Sequence, residues 1–110
     1  MASKFHLKKA SDGQFHFNLL AGNGEVILSS ELYRAKQSAL DGIASVRENS
    51  QHDSAFEIKE TAAGKHHFVL KAGNGQVVGQ SQQYASHAGA VRGVESVQQH
   101  APGAELKDES

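Results

Sequence analysis

The chain has 110 residues, a formal net charge of −1 at pH 7 and no cysteine. This length is typical of one domain that buries about two-thirds of the surface its unfolded chain exposes. The near-neutral charge gives no electrostatic reason to expect binding to nucleic acid or to an anionic membrane surface. The absence of cysteine excludes disulfides, zinc–thiolate sites and thiol nucleophiles.

The hydropathy pattern contains no uninterrupted apolar run of membrane-spanning length, and the first residues lack the apolar segment of a signal peptide. A chain without cysteine also fits a reducing compartment. We therefore expect a cytoplasmic protein that makes no membrane contact.

The first half of the chain predicts three strands. Residues 4–9 alternate between apolar and polar side chains, which is typical of a half-buried strand. A turn follows, in which Gly13 supplies a positive φ without steric cost. Residues 15–19 alternate again, and the Asn-Gly pair within residues 21–24 predicts a hairpin turn. Residues 26–29 then predict the third strand.

The hydrophobic period changes after these strands. Ala39, Ile43 and Val46 recur at i, i+4 and i+7, which predicts an amphipathic helix over residues 35–48. Gly42 lies inside the apolar stripe of this helix, where glycine costs about 1 kcal/mol relative to alanine.

The second half of the chain repeats the first without a gap. The offset is constant at 51 residues, as from Phe5 to Phe56 and from Tyr33 to Tyr84. One register held over most of the chain indicates an internal duplication. We expect a single domain, residues 1–110, made of two repeats at about residues 4–53 and 54–108.

One repeat alone has three strands, one helix and a marginal core. Two repeats that share a sheet bury more apolar surface. We therefore predict an α+β fold in which two β(3)-α-β-type repeats form one antiparallel sheet with both helices packed on one face. The predicted sheet side of the core comprises Phe5, Phe15, Phe17, Leu19, Val26, Phe56, Phe68, Leu70 and Val77.

The helix of the second repeat has two informative positions. Ser86 is the predicted N-cap, whereas the first repeat has Ala35 at that place. Gly93 repeats the glycine at position 42, which suggests close contact of each helix with the sheet or with the other helix. The alternative is that both glycines were inherited from the unduplicated ancestor without a present role.

The chain resembles the YegP-like family of small bacterial proteins of unknown function. The resemblance covers nearly the whole chain and is carried by the aromatic strand, the Asn-Gly turn, the tyrosine before the helix and the end of the helix, which are residues 15–19, 21–24, Tyr33 and residues 42–46. It implies one continuous sheet in which the repeats exchange the strand after each helix. Residues 53–60 would then form a shared strand and residues 104–108 its terminal counterpart. The family has no assigned catalytic residues to carry over.

The sheet face away from the helices is the only extended surface that the pattern offers to a partner. Its candidate binding residues alternate with the core positions and are His6, Lys8, His16, Asn18, Lys59, His67 and Lys71, next to Glu57 and Val69. Mixed charge of this kind is also what a solvated antiparallel face looks like.

Catalytic and cofactor signatures are weak. His16 and His67 are equivalent in the repeat, and a pseudo-two-fold axis could bring them together on the open face, but two histidines alone make a poor metal site. The glycine-rich turns have strands on both sides, whereas a phosphate loop is followed by a helix. No serine lies in a nucleophile motif. The sequence thus predicts no metal, no cofactor and no catalytic residue, and it disfavours an enzyme.

Two functions stay open. The favoured one is a small interaction module that binds a protein or peptide through the open sheet face or edge. The alternative is ligand or nucleic-acid binding on the same face, with salt-dependent affinity from Lys8, Lys59 and Lys71. The lack of stacking aromatic residues on that face argues against nucleic acid. We expect a monomer in which the two repeats pair within one chain.

Overall fold

The computed structural model describes residues 3–110. Within this range the chain forms one sheet of seven strands and two helices of 14 residues each. The strands are β1 (Lys4–Lys9), β2 (Phe15–Leu20), β3 (Val26–Ser29), β4 (Phe56–Glu60), β5 (His66–Lys71), β6 (Val77–Gln80) and β7 (Glu105–Asp108), and the helices are α1 (Lys36–Asn49) and α2 (His87–His100). No helix in the described part of the chain is long and apolar enough to cross a membrane.

The strand order is β4-β5-β6-β3-β2-β1-β7, so the two repeats meet at β3 and β6, where Ser29 pairs with Gln80. All neighbouring strands are antiparallel except β7, which runs parallel to β1. The predicted all-antiparallel sheet is therefore wrong at this edge, and the sheet is mixed. The cause is where α2 ends: Ser3 Oγ donates to the carbonyl of His100, so the chain leaves α2 beside the start of β1 and continues in the direction of β1.

The implied strand exchange is found after both helices: β4, which follows α1, pairs with β5 of the second repeat, and β7, which follows α2, pairs with β1 of the first. Residues Asp53–Ala55, expected to begin a shared strand, instead form one turn of 3-10 helix, and β4 begins at Phe56. Because the chain after α1 leads directly into the first strand of the second repeat, no separate strand is left to cover β4. Among the described residues β4 pairs with β5 alone, so β4 is an edge strand.

The duplication in the sequence is also a duplication in the structure. The ring of Phe17 stacks on that of Tyr33 with centroids 6.3 Å apart. At the equivalent place the ring of Phe68 stacks on that of Tyr84, also at 6.3 Å. The same aromatic pair therefore joins the sheet to the segment before the helix in each repeat.

The Asn-Gly turns carry the chain into a bulge. Gly24 has φ of 85° and its N–H donates to the carbonyl of Ala21 at 2.9 Å. A left-handed glycine after a turn of this kind leads into a bulged strand. In β3 the bulge leaves Ile27 without a partner in β2, so that Ile27 and Leu28 both belong to the core. Val26, predicted to be a core residue, is instead 40% exposed.

A single apolar core lies between the sheet and both helices, as predicted. It joins residues of both repeats, and its largest fully buried apolar members are Phe5, Phe17, Phe68, Leu7, Leu19, Leu28, Leu70, Val46 and Val97. Because this core is continuous across the β3–β6 junction, burial of apolar surface holds the two repeats together.

The helical glycines lie in close contact with the sheet, which confirms that interpretation. A Cβ atom on Gly42 would lie 2.6 Å from the Oη atom of Tyr33. On Gly93 it would lie 2.5 Å from the Oη atom of Tyr84 and 2.8 Å from the ring of Phe68. These distances are shorter than van der Waals contact, so each helix approaches the stacked aromatic pair only because it has no side chain there.

The repeats differ where they meet. The counterpart of Leu28 in the second repeat is Gly79, and a Cβ atom there would lie 2.8 Å from the side chain of Leu28. Leu28 therefore fills the space that a leucine at the second position would need. Because of this difference, the two repeats of one chain pack closely against each other where they meet.

The two helices begin differently. Ser86, the predicted N-cap of α2, accepts a hydrogen bond at its Oγ from the N–H of Gly89 at 3.1 Å. Ala35 occupies the N-cap of α1 and makes no side-chain cap bond. The first turn of α1 therefore lacks a stabilising contact that α2 has.

Candidate functional site

The predicted binding residues lie on the sheet face away from the helices. His6 pairs with Asn18 across β1 and β2, and Lys59 pairs with His67 across β4 and β5. These positions alternate with buried residues such as Phe17, and successive side chains in a strand point to opposite faces. The structure thus brings the predicted set onto one face, spread over four strands: His6 and Lys8 in β1, His16 and Asn18 in β2, Lys59 in β4, and His67 and Lys71 in β5.

The pseudo-two-fold axis does not bring His16 and His67 together. They lie in β2 and β5, with β3 and β6 between them. Three strand spacings separate them by about 14 Å across the sheet, because neighbouring strands lie about 4.8 Å apart. No group of three or more potential metal-ligating histidines, cysteines or carboxylates occurs within residues 3–110.

Charged groups on this face are already engaged with each other. Lys71 Nζ donates to Glu57 Oε2 at 2.7 Å. This hydrogen bond, together with the charge of Lys71, lowers the pKa of Glu57 below its ordinary value. His6 is hydrogen bonded through Nε2 to the carboxylate of Glu109. The face therefore offers fewer free charges than its sequence suggests.

The aromatic rings all belong to the other side of the sheet. Every phenylalanine and tyrosine of the chain either lies in the apolar core or packs against it, namely Phe5, Phe15, Phe17, Phe56, Phe68, Tyr33 and Tyr84. Single-stranded nucleic acids are usually held by base stacking on exposed aromatic rings. The open face has no such ring.

The outer edge of β1 is covered by β7. Arg47 anchors the start of this strand: its Nη2 donates to the carbonyl of Ala104 at 2.7 Å, and its guanidinium lies 5.2 Å from the centre of the Phe5 ring. Lys36 pairs with Asp108 at 2.5 Å. The hydrogen bond from Lys36 is the largest of several causes that hold the pKa of Asp108 well below its usual range. Basic side chains thus hold an acidic terminal strand.

The hydrogen bonds of β7 show which backbone groups point outward. The N–H of Glu105 donates to the carbonyl of Ser3 at 3.2 Å, and the N–H of Glu109 donates to the carbonyl of Leu7 at 2.9 Å. The position equivalent to Leu7 in β4 is Ile58. The backbone groups of Ile58 accordingly face the uncovered edge of β4.

A groove runs along this uncovered edge, between β4 and α2. Its volume is about 510 Å³, and its lining combines four apolar residues with three polar ones: Phe56, Ile58, Val91 and Val94, and Asp53, Glu95 and Gln98. Val91 is 37% exposed. Gln98 Nε2 donates to Asp53 Oδ1 at 2.6 Å, which fixes the 3-10 turn at one end of the groove. An edge strand next to an apolar groove is a typical arrangement for binding an extended peptide.

Sequence analysis assigned no binding role to any residue of this groove. The only local signal is Val91, an apolar residue beside the stripe of α2, and it aligns with Leu40 of the first repeat. Recognising the groove requires knowing that β4 has no outer neighbour, and this depends on where β7 pairs.

A second groove, of about 600 Å³, lies between α1 and the hairpin of β5 and β6. Tyr33, Asp41 and Ser45 are among its lining residues. Burial, with a smaller contribution from the charge of Glu31, raises the pKa of Tyr33. Tyr33 therefore stays protonated at neutral pH and has the character of a hydrogen-bond donor rather than a base.

Comparison with known proteins identifies the family to which this fold belongs. Residues 10–57, and again residues 62–108, match the family described as a domain of unknown function, DUF1508. The chain belongs to this family. The two matches correspond to the two repeats.

Relatives of this DUF1508 chain extend over its full length. A UPF0339 protein of Pseudomonas aeruginosa is 70% identical over 110 residues, which is 100% of each chain. The UPF0339 protein YegP of Escherichia coli K12 is 49% identical over 108 residues, or 98% of each chain. The names of these relatives state no activity, and their identities confirm the resemblance to YegP-like proteins.

Solved structures share the DUF1508 fold described above. The solution NMR structure of YegP from Escherichia coli, described as a protein of unknown function, has a TM-score of 0.93 at 49% identity and covers 99% of this chain and 94% of that one. The NMR structure of a UPF0339 protein from Shewanella oneidensis has a TM-score of 0.92 at 42% identity, covering 98% and 92%.

Proposed function

We propose that the protein is a small non-enzymatic interaction module that binds an extended segment of a partner protein along the free edge of β4. One observation carries this proposal: the equivalent edge, on β1, is covered by a strand of the chain itself. Over residues 3–110 the fold thus contains one occupied and one vacant copy of the same strand-binding edge.

Binding by strand addition has two physical sources. The outward backbone groups of β4, at positions such as Ile58, supply hydrogen bonds that any extended segment can use. The groove between β4 and α2 supplies apolar contact for alternate side chains of that segment. Phe56 and Val91 lie on opposite walls of this groove and are the side chains expected to contribute most of that contact.

The edge is favoured over the open sheet face for two reasons. A hydrogen bond to Glu109 already engages His6 of that face, and an ion pair with Glu57 engages Lys71. Nucleic-acid binding there is further disfavoured because the face carries no phenylalanine or tyrosine ring for base stacking. The open face instead resembles the solvated side of an ordinary sheet.

We also propose that the protein acts as a monomer in the cytoplasm. The apolar core joins both repeats of one chain, and the Leu28–Gly79 contact is asymmetric, so each half already has a specific partner. A chain without cysteine suits a reducing compartment. Light scattering of the purified protein and fractionation of cells test these two proposals.

A peptide library selected against the protein tests the binding function. Val91→Lys places a charged side chain in the groove, and Val26→Lys changes a valine of similar exposure, 40% against 37%, outside it. Selected peptides should shift the amide resonances of Phe56 and Ile58, lose affinity for Val91→Lys and keep it for Val26→Lys. Selection of no peptide, or of peptides that shift only open-face residues such as Asn18, would contradict the proposal.

A further inference from the structure

The occupied edge of the sheet is basic and its occupant is acidic. The terminal segment carries Asp108 and Glu109, which pair with Lys36 and His6 respectively. Arg47 donates a hydrogen bond to the carbonyl of Ala104, the residue directly before β7. Charge complementarity therefore helps to keep this segment on β1.

At the vacant edge two of these three groups are replaced by residues that are not basic. At the repeat offset, His6 corresponds to Glu57 and Arg47 corresponds to Gln98, whereas Lys36 corresponds to His87. In the groove itself, α2 has Glu95 at a position that does not carry charge in α1. The two edges are thus alike in backbone geometry but differ in the charges beside them.

All charged side chains that line the groove are carboxylates, namely Asp53 and Glu95. The lysines of β4 and β5 are Lys59 and Lys71, which lie on the open face, and Lys71 is paired with Glu57. An acidic segment entering the groove would meet repulsion, and a basic one would meet attraction.

We infer that the segment bound by β4 is a basic one, with an apolar residue opposite Phe56 and lysine or arginine on either side. This inference rests on the proposed function and specifies its partner. The apolar position follows from the occupied edge, where Leu106 pairs with Phe5 in the parallel register. The same charge pattern disfavours the acidic tail of a second copy and so limits chain-to-chain assembly through this edge.

Two synthetic peptides with blocked ends test the inference. One copies residues 104–110, and the other carries the changes Glu105→Lys, Asp108→Lys and Glu109→Lys. Each is titrated into the full chain at low salt while the amide resonances of β4 are recorded. The basic peptide should shift the amides of Phe56 and Ile58 and bind at least about fivefold more tightly than the acidic one. The preference should shrink at high salt, because the groove is open to solvent.

Two variants with the same change in net charge provide the control. Glu95→Lys alters the groove, whereas Glu48→Lys alters an exposed position on α1, which lies outside it. Glu95→Lys should abolish or reverse the preference for the basic peptide, and Glu48→Lys should leave it intact. This pairing separates the local charge of the groove from the overall charge of the protein.

The possible failures are distinguishable. If the acidic peptide binds at β4 as tightly as the basic one, the charge inference is wrong and strand addition at β4 still stands. If neither peptide shifts the β4 amides, the inference and the proposed function both fail. Equal loss of preference in Glu95→Lys and Glu48→Lys would show that overall charge decides, and this would also overturn the inference.

Discussion

Replacement of Gly93 with alanine sets helix propensity directly against packing. Alanine is favoured over glycine inside a helix by about 1 kcal/mol. The new methyl group, however, would lie 2.5 Å from Tyr84 Oη and 2.8 Å from the ring of Phe68. Phe68 is fully buried and stacked on the partly buried Tyr84, so a shift of Tyr84 alone does not relieve the contact with the Phe68 ring.

The balance favours destabilisation. Overpacking of a well-packed core typically costs about 1–3 kcal/mol, and the misfit at Gly93 involves two rigid rings rather than one flexible side chain. After the gain in helix propensity is subtracted, we expect Gly93→Ala to lower the free energy of unfolding by about 1–2 kcal/mol.

Denaturant titration followed by circular dichroism measures this change. Gly89→Ala is the matched control in α2, because a methyl group there would lie 3.4 Å from its nearest neighbours, an ordinary contact. Gly89→Ala should be neutral or stabilising. Adding Tyr84→Phe to Gly93→Ala removes the nearest clashing atom and should recover part of the loss, which a double-mutant cycle quantifies.

Two results would refute this reasoning. The first is a Gly93→Ala variant as stable as the parent protein or more stable, which would mean that the helix moves away from the rings at little cost. The second is an equal loss of stability in Gly89→Ala and Gly93→Ala, which would assign the effect to alanine in α2 in general rather than to the contact with Tyr84.

The helix caps give a paired prediction: Ser86→Ala should lower the free energy of unfolding by about 1 kcal/mol, and Ala35→Ser should raise it by up to a similar amount. Denaturant titration measures both changes, and an unchanged denaturation midpoint in both variants would contradict the prediction. The terminal strand should be acid-sensitive. Because the pKa of Asp108 is held below its ordinary value, mainly by Lys36, their pairing stabilises β7 above about pH 4 and is lost as the pH falls further. Hydrogen exchange of the β7 amides should show this loss, and a parent-like acid response of Asp108→Asn would contradict it.

Much of the fold can be predicted from the sequence because the patterns that indicate it are local. The alternation around Phe17 and the spacing of Ala39, Ile43 and Val46 predict a strand and a helix, each with its buried face. The prediction for Val26 was wrong because the bulge after Gly24 adds one residue to the strand and shifts the side chains that follow. A bulge of this kind depends on pairing with β2, which alternation alone does not reveal.

In the candidate site, the residues that the sequence predicts and those that it misses are separated more clearly than in the fold. The open-face residues, such as His16 and Lys59, were placed correctly on one face, since alternation fixes the face of a strand. The groove beside β4 was missed, since an edge is defined only by which strand lies next to it. The engagement of Lys71 with Glu57 also required the register of β4 and β5.

By itself the sequence determined the duplication and the order of strands and helices in each repeat, and it indicated the close approach of the helices at Gly42 and Gly93, which the structure confirms. These features follow from short-range periodicity and from the repeat offset, which is found by aligning the sequence with itself and requires no knowledge of the three-dimensional structure. The tertiary structure decided that β7 runs parallel to β1 and that β4 keeps a free edge. Both depend on the position at which the chain leaves each helix: α2 ends beside Ser3, whereas α1 is followed by a turn that leads directly into β4.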